Sequence, residues 1–152
     1  MESTNSNKFR LICFALTTKL WCACSFIGDP KIGMHVSDLP NSKRQYELIP
    51  NASFDTAYTI ATMSGKMSYA ADREGRVYYI CTRDKDFRSY SGFGYGDLWR
   101  DAIAMQHGSV TKFRGWGSVV QVDSIWYAAI PIGVAESDTT SVRFFIQYDR
   151  LK

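Results

Sequence analysis

The chain has 152 residues, 45% hydrophobic and 22% charged, with a formal net charge of +3. That is one domain with room for a core, and it excludes a transmembrane bundle, a coiled coil, a collagen and a disulfide scaffold. Aromatics reach 14% and lean toward strands, where rings pack on a pleated surface; a charge of +3 does not by itself imply a nucleic-acid partner.

Residues 1–7 are small and polar and read as a flexible arm, leaving 8–152 as a single β-rich domain. Lys8 and Arg10 precede a short apolar run that Lys19 interrupts. It is too short to span a bilayer and alternates like a strand, so the expectation is a non-secreted chain with no membrane insertion and an unused Asn51 sequon. Residues 9–17 and 20–27 are two strand-like runs, and Gly28-Asp29-Pro30 stops the second. Cys22 and Cys24 are too closely spaced for a zinc knuckle, so these two, with Cys13 and Cys81, read as buried reduced thiols.

Residues 32–48 read as loop, with a turn at Pro40-Asn41-Ser42-Lys43. A strand follows over 54–63 and ends at Ser64-Gly65. Residues 67–71 and 76–83 flank Asp72-Arg73-Glu74-Gly75, a hairpin loop with glycine at its end. The mixed charges of 83–88 read as a solvated turn. Asp97 as N-cap, Leu98, Ala102 and Met105 at helical spacing, and Gly108 as C-cap predict a helix over 98–106.

Residues 118–122 and 124–134 are apolar, with Pro131 and Gly133 marking an edge or bend. Over 141–151, Val142, Phe144, Ile146 and Tyr148 alternate with polar residues, which predicts a half-buried terminal strand. About eight strands, one helix and no repeat predict an all-β, jelly-roll-like sandwich.

No nucleophile–base pair or metal-ligand spacing stands out, and His35 and His107 lack partners at a telling distance, so the chain reads as non-enzymatic and without a cofactor. Asp84, Asp86 and Asp97 could face a cation, but Arg83, Lys85 and Arg88 oppose one. Ser91-Gly92-Phe93-Gly94-Tyr95-Gly96 lacks the spacing and the Lys of a phosphate loop. Gly92, Phe93, Gly94 and Tyr95 partly resemble the first RNA-recognition signature, which implies single-stranded nucleic-acid binding as an alternative.

Two family resemblances frame the function. Trp126-Tyr127-Ala128-Ala129-Ile130-Pro131-Ile132-Gly133-Val134, a polar loop and the aromatic run from Ser141 to Leu151 resemble the last strands of small viral capsid jelly rolls. That resemblance implies a self-assembling structural protein of the virion or host cytoplasm, although residues 1–7 are not the Arg-rich arm of such proteins. Large aromatics dominate interfaces, so Tyr95, Trp99, Phe113, Trp116 and Trp126 are the expected subunit contacts. Lys8, Arg10, Lys112 and Arg114 are the expected nucleic-acid contacts. Arg76-Val77-Tyr78-Tyr79-Ile80-Cys81-Thr82 and the following turn resemble the central strand of longin domains, which implies an α+β adaptor binding a partner peptide or helix.

Overall fold

A computed structural model of the chain describes residues 28–39, 42–50, 53–105 and 109–149. The expected arm, the runs at 9–17 and 20–27, Lys8, Arg10, Cys13, Cys22, Cys24, His107 and the Gly108 cap lie outside the described residues. Among the described residues there are eight strands: β1 (Lys43–Ile49), β2 (Ser53–Thr62), β3 (Gly65–Ala71), β4 (Val77–Thr82), β5 (Thr111–Phe113), β6 (Gly117–Gln121), β7 (Tyr127–Pro131) and β8 (Phe144–Tyr148). The same residues hold one helix, α1 (Trp99–Met105), and a 3-10 turn at Val36–Asp38. The class is all-β.

The strands form one antiparallel sheet in the order β1-β2-β3-β4-β8-β7-β6-β5. A jelly roll divides its strands between two facing sheets; here β8 instead joins two meanders, β1–β4 and β5–β7, into a single curled sheet. The α+β longin architecture does not match either. It calls for a long helix between its second and third strands, where β2 and β3 are joined by the two-residue turn Met63-Ser64.

Local chemistry sets the turns. In the β3–β4 hairpin the Asp72 carboxylate accepts the Glu74 and Arg76 N–H groups, and Gly75 supplies a φ of 78° that other residues resist. Ala70 pairs with Tyr79 and Ala71 with Val77, so Tyr78 is the extra residue of a β-bulge. At the start of β6, a Cβ on Gly117 would land on the Ile130 carbonyl oxygen, so the close approach of β6 to β7 requires glycine.

Both sheet faces are covered. On the outer face Met67, Tyr69, Ile80 and Phe145 pack with Phe87, Phe93, Trp99 and Ala102 from the loops and α1. On the inner face Ile49, Tyr79, Cys81, Trp116, Phe144 and Ile146 pack together. A helix of seven residues is too short to persist alone; burial of Trp99, at about 1.5–3 kcal/mol for a large apolar side chain, holds α1 on the sheet.

Four expectations are corrected. The segment 32–48, expected as loop, contains most of edge strand β1, whose Lys43, Arg44, Gln45 and Glu47 disguise a strand because sheet edges carry charge. Strand β5 lies in a stretch assigned no element. Asp97 does not cap α1: its carboxylate turns back to the Gly94 N–H at 2.7 Å, and the Thr140 carbonyl takes the Trp99 N–H. The terminal strand is not half-buried, because β8 sits between β4 and β7 and every residue of Phe144–Tyr148 is buried.

Candidate functional site

A cleft of about 810 Å³ lies at one side of the sheet. Its walls are the strap 28–32, the β4–α1 loop at Phe87, Arg88 and Tyr90, the β6–β7 turn, and the end of β8. Backbone bonds fix the chain just after the strap to β4: the Gly33 N–H donates to the Val77 carbonyl, and the Val77 N–H donates to the Met34 carbonyl. Asp123 joins two other walls. One of its oxygens accepts the Ile125 and Trp126 N–H groups at 2.9 and 2.8 Å, and the other accepts the Tyr90 N–H at 2.9 Å.

Rings supply the apolar surface. Phe87 and Trp126 meet edge-to-face with centroids 4.7 Å apart, and Tyr127 and Tyr148 also line the cleft. Burial pushes the Tyr127 phenol up from its ordinary pKa, so the ring is a neutral wall at physiological pH. Asp29 lines the same cleft. Its Oδ2 accepts the Ser64 hydroxyl, while its Oδ1 is buried without a hydrogen-bond partner among the described residues.

A second polar cluster lies on the inner face. Glu47, 6% exposed, accepts the Ser68 hydroxyl at 2.5 Å, the Arg83 guanidinium at 2.8 Å and the Tyr79 hydroxyl at 3.3 Å. Beside it, burial first and the Glu47 charge second push the Cys81 thiol up to about 12, so this thiol is not a nucleophile at neutral pH. Burial likewise raises the Tyr79 phenol.

The residues expected at subunit contacts are dispersed. Trp99, Trp116 and Trp126 are 1%, 5% and 5% exposed and serve the chain's own packing; a buried ring cannot anchor a partner. Tyr95 and Phe113 are half-buried, with Phe113 edge-on to Trp116 and Tyr148. Trp126 alone of the five lines the cleft. Lys112 pairs with Glu136 at 3.0 Å, and Arg114 is exposed one position beyond Phe113. The RNA-recognition display is overturned at Phe93, which is buried in the outer core rather than presented on a sheet face. Asp84 and Asp86 do not converge with Asp97: Asp84 accepts the Lys66 and Asp86 N–H groups, whereas Asp97 binds Gly94. Sequence reasoning passed over Asp29 and Asp123, treating the first as a strand stop; the Asp-x-Ile-Trp spacing after β6 is the signal of a carboxylate capping its own turn.

No family model matches the chain, and no curated protein matches it. Among solved structures, the crystal structure of the uncharacterized protein yfeY from Escherichia coli is similar, with a TM-score of 0.51 and 15% identity. The likeness covers 80% of this chain and 98% of that one. At that identity it shows the fold alone.

Proposed function

We propose that this chain is a non-catalytic binding domain whose cleft takes a small molecule with a flat apolar body and a cationic or hydrogen-bond-donating end. The observation that carries the reading is Asp29 Oδ1. A buried carboxylate oxygen without a donor is costly, and this one, unpartnered among the described residues, belongs to a cleft of ligand size lined by five aromatic residues. A protonated amine would satisfy the oxygen and lie favourably against the ring faces. Lys31 and Arg88 also line the cleft, but both are exposed and their charges are hydrated and screened. His35, the one described histidine, is engaged in loop structure through Ser37 and the Glu74 carbonyl, which favours binding over acid–base chemistry.

Calorimetric titration tests this with two probes of similar shape, 2-phenylethylamine and 3-phenylpropionate. The amine binds at one site, binds at least about tenfold more weakly to Asp29→Asn, and outcompetes the acid. Absence of amine binding, or equal binding of both probes, contradicts the proposal.

A second reading, self-association of capsid type, is favoured by edge strand β1. There Tyr46 is 73% exposed under the Arg44 cation, 5.9 Å from its centroid. Nucleic-acid contact through Lys112 and Arg114 belongs to this reading. Sedimentation velocity discriminates: a monomer at high concentration discards the second reading.

A further inference from the structure

We infer that the inner face of the sheet carries a separate site for a small oxyanion, at the end where β1 to β4 present Gln45, Thr59, Ser68 and Cys81. A cavity of about 480 Å³ opens there. Lys66, Arg83 and Lys85 line it against one carboxylate, Asp84. Backbone N–H groups of Lys66 and Asp86 occupy that carboxylate and hold its pKa below the ordinary value. The Lys66 and Lys85 ammonium groups have no ion pair among the described residues, so the lining is net cationic.

Arg83 is the positioned donor. Its Nη1 is held by the buried Glu47 at 2.8 Å, and its guanidinium carbon stands 5.2 Å from the Phe144 ring centroid. An arginine carries five N–H donors, so this one contact leaves most of the fork for a ligand. The side chain is 57% exposed, so those donors reach the cavity mouth. Glu47 does not repel an incoming anion strongly, because Arg83, Ser68 and Tyr79 already compensate it.

The independent observation is Thr59. It lines this cavity, and its Oγ1 is buried without a hydrogen-bond partner among the described residues. A hydroxyl donates readily to an oxyanion, and an orphaned one is otherwise a liability. Carboxylates and phosphates share the chemistry the site offers. Cations are disfavoured by the three positive side chains.

The test is thermal unfolding and calorimetry of the full chain with inorganic phosphate, acetate and, at matched ionic strength, chloride. Saturable stabilisation by phosphate or acetate beyond chloride is expected, and the preferred probe identifies the source class. Arg83→Gln lowers affinity at least about tenfold. Thr59→Val weakens binding without lowering the melting temperature of the free protein, which a merely structural hydroxyl would not do. Should Arg83→Gln fail to fold, the Lys66→Ala and Lys85→Ala variants report instead. Oxyanions that act only as chloride does, or Thr59→Val and both lysine variants binding phosphate like the parent chain, overturn the inference. Asp29→Asn leaves phosphate binding unchanged, so failure here is distinguishable from failure of the cleft proposal.

Discussion

The indole N–H of Trp116, in the turn between β5 and β6, donates to the Leu48 carbonyl of β1 at 2.7 Å. Strands β1 and β5 are the two ends of the sheet order, so one side chain links edges that no backbone ladder joins among the described residues. The same indole packs edge-on against Phe113 and Phe144, with centroids 5.9 and 5.3 Å apart. Curl, inner core and edge protection thus meet at one residue. An edge-strand carbonyl that would otherwise be open to another chain is satisfied within the molecule.

Trp116→Phe retains a ring and loses the donor, so it should destabilise the chain by about 1 kcal/mol in urea unfolding. Trp116→Ala also removes the packing and should cost about 3–5 kcal/mol. A Phe variant as stable as the parent would show that the Leu48 contact does not close the sheet.

The β3–β4 hairpin, the helix near Trp99 and the class of the fold were legible in the sequence, because turn chemistry and periodicity are local. The single sheet was not. Nothing near Phe144–Tyr148 announces that this last strand enters between β4 and β7, since its alternation suits an outer strand as well as a central one. Strand β1 was hidden because Lys43 and Arg44 suit an exposed edge. The site was less legible still. Asp29 reads as part of a Gly-Asp-Pro stop, and only the folded chain places its carboxylate in a cleft with Phe87, Trp126 and Tyr148, which lie at least 58 positions further along.

A double-mutant cycle between Glu47→Gln and Arg83→Gln measures their pair directly. Because the guanidinium is more than half exposed, the coupling should be on the order of 1 kcal/mol and should shrink with salt. Zero coupling at low salt would mean that Ser68 and Tyr79 alone hold Glu47.

Cys81 gives a chemical readout of the inner core. Its folded pKa is raised above the ordinary thiol value of 9.0 to about 12. That contribution to stability is fully present below the unfolded thiol pKa and fades as pH rises through the folded one. Peptide mapping after iodoacetamide treatment at about pH 9 should find Cys81 unmodified in the native chain and modified in denaturant. Native labelling would contradict the burial of the Cys81 thiol beneath the cavity on this face.

Glu136 tests the linkage of opposite sign. The Ser118 hydroxyl first, and Lys112 second, hold its pKa below the ordinary carboxylate value of 4.5. Its stabilisation is present above that value and is lost as pH falls through the lower folded pKa. The stability gap between parent and Glu136→Gln should therefore be largest near roughly pH 7 and narrow toward roughly pH 3. A gap independent of pH would remove the carboxylate from the argument.

Chemical-shift mapping during a 2-phenylethylamine titration tests the binding-domain reading most directly, because it locates the ligand as well as detecting it. The reading predicts saturable shifts at the backbone of Asp29, Tyr90 and Ile125 and at the Trp126 indole N–H. The Trp116 indole N–H, committed to Leu48 in the inner core, should stay still. Shifts centred on Trp116 and Glu47, or none at the Asp29 cleft at saturating amine, would contradict it.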